Sequence, residues 1–517
     1  MSQKFTSTIA GASIFISLVG LLSRGLGFIR EMVFASNFGL ETDFDLYLVG
    51  AVLPTTINSI ILYIGQNYFV PGFQKIKSEN PEAAKKYFNQ SFILFIGSGI
   101  IIAILLFFLS DLIINNYMQE SSVKNKEIAA IIFRIFLFTI PFSAGISILS
   151  ALLQSVYEFK YPPISILYLN ISIILLIFAF SDKIGIYVIP VGYLAGTFLQ
   201  FLYLQYKSRK FFKLNLRPHR QHFQFLKTML GPTLLIILLI ESIGQLYSIF
   251  DRYFYSQITP GGIASLNYAY IIFILPISIF SISLATAIFP KITQAIVDSE
   301  KKDLERIFNE SISINILIFM PFTFLLFYFG EAVIKIAFER GKFIGESTVI
   351  TYNALKYYSI SLVFYSVYAV LNKIFYSLNL AKILLLITIM GISLKLLLNF
   401  LFVEKYEQNG LALSTSISFI FFFASSYLVL NKKLKISDKN IFIKEYLLYF
   451  INCCICFLII YILMNSLLNA TILIEVVMIG IFVVLYSLNL IIVKHKSVLL
   501  LSNVMRNIGS GRIIKSV

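Results

Sequence analysis

Two arginines, Arg24 and Arg30, stand six residues apart in a run that is otherwise almost wholly apolar from residue 8 to residue 37. An arginine at the centre of a membrane helix costs roughly 2.5–3.5 kcal/mol on insertion scales, so a pair of them needs a reason. On a helix six residues are ~9 Å of rise and ~120° of rotation, which sets the two cations at two depths around one shared volume. A guanidinium is a planar fork that matches phosphate oxygens. The chemistry predicted is capture of an anion within the membrane, with Arg24 the deeper contact.

Other polar side chains in apolar surroundings extend the candidate set. Asp45 follows Arg30 by fifteen residues, Asn58 lies four after Pro54, Asp251 stands beside Arg252, Lys395 is one turn before Asn399, and Thr415 comes later. Arg24, Arg30, Asp45, Asn58 and Arg252 form the predicted substrate set. No nucleophile-base-acid arrangement, P-loop or dinucleotide fingerprint occurs, which argues against an enzyme. His219 and His222 lack a third ligand, so no metal site is expected. Cys453, Cys454 and Cys456 share one apolar run at a spacing that suits neither a disulfide nor zinc, and read as packing residues.

The elements that must carry these residues are membrane helices. The chain is 58% hydrophobic and 13% charged, with a mean hydropathy of +0.85, whereas a soluble domain is about 25% charged. Fourteen apolar runs, from 8–37 through 228–257 to 470–493, are each about long enough to cross a ~30 Å hydrocarbon layer. The expected fold is all-α and polytopic. Lysines and arginines collect in alternate connections and at the termini, twenty-eight against seven in the other connections. By the positive-inside rule this places both termini in the cytoplasm and requires an even number of spans.

The net charge of +16 therefore belongs to a basic inner face that meets anionic lipids, not nucleic acid. The first run carries Arg24 and has no clear cleavage site, so it is expected to remain as helix 1. The longest polar connection, 206–227, mixes basic and aromatic residues and reads as an interfacial segment. No stretch is long enough for a soluble domain, so any function lies among the helices.

An internal repeat is visible. Pro54 and then Phe69-Val70-Pro71 in the second run are echoed by Pro276 and then Ile288-Phe289-Pro290 in the eighth, at offsets of 222 and 219. Two pseudo-symmetric six-helix lobes, 1–227 and 228–435, are expected, with two extra helices and a basic tail over 436–517. Repeated bundles with proline-interrupted helices at matching places are a mark of alternating-access transporters.

Ser23-Arg24-Gly25-Leu26-Gly27-Phe28-Ile29-Arg30-Glu31, Asp45 ahead of Leu53-Pro54, and Phe69-Val70-Pro71 together resemble the opening of the MurJ (MviN) lipid II flippase family. Further likenesses are Pro162-Pro163 with Asn170, Gly192-Tyr193-Leu194-Ala195-Gly196 with Gln200, Ser265-Leu266-Asn267-Tyr268-Ala269, Phe338-Glu339-Arg340-Gly341-Lys342-Phe343, and the run from Gly410 to Ser416. The resemblance implies a helical flippase of the bacterial inner membrane that turns an undecaprenyl-pyrophosphate-linked saccharide across the bilayer, acting as a monomer.

Departures from the family pattern bear on substrate and coupling. Asn58 and Ile271 stand where the family places arginines, which keeps open another undecaprenyl-linked unit such as an O-antigen, capsule or exopolysaccharide repeat. Some members bind sodium through an aspartate on helix 7, positions four apart on helix 11 and a threonine on helix 12. By spacing these are Asp251, Lys395, Asn399 and Thr415. Lys395 puts an ammonium where a neutral ligand is expected, which argues against sodium and for a built-in cation. A drug antiporter would favour an acidic cavity, and a saccharide polymerase or ligase a large external loop; neither fits.

Overall fold

The computed structural model describes residues 9–211, 232–298, 301–438, 440–465 and 472–492. Among them the regular structure is entirely helical. The helices are α1 Ile9–Phe38, α2 Thr42–Ile64, α3 Val70–Glu79, α4 Pro81–Tyr117, α5 Val123–Leu137, α6 Thr139–Ser155, α7 Tyr161–Ile184, α8 Val188–Ser208, α9 Pro232–Tyr253 and α10 Gly262–Pro276. They continue as α11 Ile282–Val297, α12 Lys301–Tyr328, α13 Gly330–Phe338, α14 Gly345–Ser359, α15 Leu362–Ser377, α16 Ala381–Leu434, α17 Ile441–Asn465 and α18 Ile472–Ile492. Local chemistry sets their starts. Asn80 accepts from the amides of Glu82 and Ala83 at 2.9 and 3.2 Å, with Pro81 at the first helical position, the pairing of cap and proline that a helix start favours.

Among the described residues nine helical stretches are long and apolar enough to cross a bilayer, and the bent pair α14–α15 makes a tenth. Two of the nine, of 48 and 54 residues, are long enough to cross twice. Tyr161–Ser208 holds Gly185 at φ 56° between α7 and α8. The other is α16, 54 residues long with Glu407 at φ 47°, ψ −130°. Asn399 accepts a hydrogen bond from Ser414 fifteen residues later, a gap of ~22 Å along a straight helix. The chain must therefore fold back at Glu407, and α16 is two antiparallel arms. The break lies between two apolar runs of the sequence, 379–403 and 409–431.

Burial separates lipid-facing from interior helices. Of the most apolar stretch of α4 only 11% is buried, against 78% across α5–α6. Phe108, Leu175 and Leu473 are 80%, 62% and 70% exposed. Apolar faces of this extent need a bilayer to cover them.

The fold comprises two compact units, Met1–Ala264 with Arg340–Phe343, and Ser265–Glu339 with Ile344–Val517. Each contains a π-turn beside a serine hydrogen bond to the neighbouring helix, with donor and acceptor exchanged between the two units. In the first unit a π-turn, Gly65–Phe69, joins α2 to α3, and Ser147 of α6 donates to the Ile61 carbonyl at 2.8 Å. In the second a π-turn, Ile277–Ser281, joins α10 to α11, and Ser281 donates to the Ser366 carbonyl of α15 at 2.7 Å. The pairs 61/147 and 281/366 correspond at offsets of 220 and 219, matching the repeat spacing of the prolines. In the first unit the Ile61 carbonyl thus accepts twice, from the Gly65 amide of its own helix and from the Ser147 hydroxyl of α6.

In the first unit α1 and α7 run parallel. Ser23 donates to the Pro163 carbonyl at 3.2 Å and Arg30 to Asn170 at 3.0 Å, both contacts spanning 140 residues. The segment Arg340–Phe343 packs on the turn that follows α1: the Lys342 amide donates to the Ser36 carbonyl at 2.8 Å, and its ammonium pairs with Glu41 at 3.0 Å. Gly341, at φ 58°, permits the approach, because a Cβ there would crowd the Ser36 backbone.

Candidate functional site

Helix α1 presents both predicted cations, in different settings. Arg24 is exposed. Arg30 is half-buried, its side chain 17% exposed, and its fork is engaged: Nε and Nη2 donate to Glu31 Oε1, the first at 3.2 Å, and Nη1 donates to Asn170 Oδ1. The Phe34 and Tyr193 rings lie 5.5 and 5.4 Å from the guanidinium carbon, within the ~6 Å over which a ring face attracts a cation. Tyr47 and Phe136 enclose the same space, with ring centroids 6.1 Å apart, and Phe136 is 5.2 Å from Tyr193.

Asp45 is fully buried in α2. Its two carboxylate oxygens accept from the amides of Gly261 and Ala264 at 2.6 and 2.7 Å. A carboxylate there satisfies amides that have no partner within their own helix and meets the positive end of the helix dipole. Arg252 lies within electrostatic reach of Asp45, so the fold gathers these two predicted residues at one end of the first unit. Asp251 is buried, at 8% exposure. Asn58 donates to Thr139 at 2.7 Å, while its Oδ1 is buried without a hydrogen-bond partner.

In the second unit Lys395, Asn399 and Thr415 are all buried in α16. Asn399 bonds to Ser414, beside Thr415, and Gly391 packs on the Phe422 ring. The register of the two arms thus places Lys395 opposite Ser418. The Thr415 hydroxyl donates back to the Leu411 carbonyl at 2.9 Å. His219, His222 and most of the basic connection lie outside the described residues.

Three partners were not assigned roles from the sequence. Glu31 and Asn170 are the groups that hold Arg30. Arg134 of α5 is a further membrane arginine, bonded to Ser110 at 2.8 Å and to Asp111 of α4. Its signal was an arginine and an aspartate, each isolated in its own apolar run and antiparallel across a short turn. Beside the Arg340–Phe343 segment a cavity of about 260 Å³ is lined by Glu41, Asp43, Asp182 and Lys342 among others. Its acidic excess is the wrong sign for an anionic ligand.

A polytopic helical chain with a π-turn breaking a helix in each of its two units, and with cations within its spans, fits a membrane transporter. Comparison with known proteins narrows the class. The family profile described as lipid II flippase MurJ matches residues 34–482. A probable lipid II flippase MurJ of Borreliella burgdorferi is 27% identical over 440 residues, covering 82% of this chain and 83% of the relative. The lipid II flippase MurJ of Thermosipho africanus is 27% identical over 416 residues, covering 80% and 83%. A solved lipid II flippase MurJ in an inward closed conformation has a TM-score of 0.80 at 23% identity, covering 93% of this chain and 99% of that one. An inward-facing multidrug resistance MATE transporter of the MOP superfamily reaches 0.68 at 16%, covering 82% and 98%. The chain belongs to the MurJ family of lipid II flippases. Arg24 and Arg30 precede the matched residues, so their assignment rests on the geometry of this chain.

Proposed function

We propose that this protein flips lipid II across the bacterial cytoplasmic membrane by alternating access, as a monomeric transporter and not an enzyme, with both termini in the cytoplasm. The observation that carries the site assignment is the exposed Arg24 on the same helix as the half-buried Arg30, in an apolar span of a chain of this family. Stripping water from a diphosphate costs many kcal/mol, and fixed cations replace the lost hydration. Arg24 is the first contact, Arg30 the second, and Arg252 and Asn58 complete the polar path. Asp45 serves by fixing the Gly261–Ala264 turn. Lys395 supplies a resident positive charge in the second unit, so sodium is not required. Anionic lipids meet the basic cytoplasmic face.

Asn58 and Ile271, where the family pattern places arginines, favour as second reading another undecaprenyl-pyrophosphate-linked saccharide. Depletion of the protein tests both, since the saccharide that accumulates on the cytoplasmic leaflet identifies the substrate. For the site, Arg24→Ala is expected to abolish complementation at normal membrane abundance, and Arg24→Lys to restore it in part, because a point charge does not reproduce a bidentate contact. Full complementation by Arg24→Ala would overturn the assignment.

A further inference from the structure

Asn170 lies in the middle of α7 and is 3% exposed, too deep in an apolar span to be explained by contact with water. Its Oδ1 accepts from Arg30 Nη1 at 3.0 Å. Its Nδ2 lies against Gly27, 4.0 Å from where a side chain on that glycine would begin. One heptad earlier the Ser23 hydroxyl reaches the Pro163 carbonyl. The two bonds, seven residues apart on each helix, fix α1 against α7 in one register, and the amide arrives at the guanidinium as a consequence. The Phe34 and Tyr193 rings lie within cation–π reach of the guanidinium, at 5.5 and 5.4 Å from its carbon.

We propose that Asn170 is a positioning residue for flipping: it holds the Arg30 guanidinium at the depth and angle at which it meets the substrate diphosphate. The inference rests on the reading of Arg30 as a substrate contact. An amide suits the task because it accepts a hydrogen bond without adding charge. Glu31 already compensates one positive charge, and a second carboxylate at position 170 would turn the local sum negative where a diphosphate has to enter. Tyr193 supports the same geometry from α8.

The test uses the purified full-length protein and two probes, undecaprenyl pyrophosphate and the uncharged undecaprenol, with binding read by native mass spectrometry. Asn170→Leu removes the acceptor and is expected to weaken pyrophosphate binding about tenfold, the scale of one hydrogen bond to a charged group. Asn170→Asp, nearly isosteric and so expected to fold, should weaken it further despite keeping the acceptor. Neither should change undecaprenol binding. In an Arg30→Ala background Asn170→Leu should have no further effect, because a residue acting through another does not add to its loss. Equal loss for both probes, an additive loss in the Arg30→Ala background, or wild-type pyrophosphate binding by both Asn170 variants would overturn the positioning role. Wild-type pyrophosphate binding by Arg30→Ala alone would instead overturn the reading of Arg30 as a substrate contact.

Discussion

Replacing Asp45 by asparagine changes one oxygen into an amide group and removes the charge, with almost no change of shape. The carboxylate is fully buried and gives one oxygen to each of two amides, Gly261 at 2.6 Å and Ala264 at 2.7 Å. Asparagine keeps one acceptor and turns a donor toward the other amide. Losing a hydrogen bond from a charged acceptor costs about 1.5–3 kcal/mol, and an orphaned buried amide falls in the range of about 1–3 kcal/mol. The two descriptions overlap, so the expected local cost is about 2–3 kcal/mol. Tenfold per ~1.4 kcal/mol then makes the Gly261 and Ala264 amides exchange roughly 30–150 times faster when the turn opens locally. Hydrogen–deuterium exchange on a peptide covering 257–268, in detergent, measures this directly. Transport should fall together with protection. Asp45→Asn with unchanged exchange across that peptide would refute the capping role, and normal exchange with abolished transport would return Asp45 to direct contact with substrate.

Gly341→Ala places a side chain in the left-handed region against the Ser36 backbone, at about 1–2 kcal/mol for the conformation alone; a lower unfolding midpoint is expected, with Gly345→Ala, which has open space around it, as the unchanged control. Reconstituted wild-type protein should flip its lipid at rates within about twofold with or without a sodium gradient, since the Lys395 charge is already resident and buried, and strong sodium dependence would defeat that idea. In a background without the three native cysteines, Gln257→Cys, exposed just ahead of the Gly261–Ala264 turn, should be labelled by an impermeant thiol reagent from the periplasmic side, and labelling only from the cytoplasm would reverse the topology.

Span lengths, the proline repeat and the break near Glu407 were legible because each is a local property: hydrophobic length, a backbone without a donor, and a polar interruption between two apolar runs. The π-turns were not, because in each unit a serine hydrogen bond to a helix distant in sequence accompanies the turn, and neither Ser147 nor Ser281 is marked by its neighbours. The Arg134–Asp111 pair was hidden for a similar reason, its members lying 23 residues apart on facing helices. At the site the residue types were readable and their partners were not. Arg30 announced itself as a charge in an apolar run, yet only the parallel packing of α1 on α7 shows that Asn170 receives it.

The membrane arginines of the first unit show how a charge placed in a span comes to have its role. Arg134 is bonded to Asp111 and Ser110, and Arg30 to Glu31 and Asn170, so each carries a counter-charge from the chain itself. Pairing of this kind makes a buried charge tolerable, but it also reduces the field available to a ligand. Arg24 differs in being exposed while sharing a helix with the well-held Arg30. An anion arriving from water would meet Arg24 first and would have to compete with Glu31 for Arg30. A competition of that kind lets the second contact close only on a ligand with enough charge to displace a carboxylate. A pyrophosphate qualifies and a monophosphate is a weaker competitor, so the ratio of their affinities should collapse toward one in Arg30→Ala and remain large in Arg24→Lys.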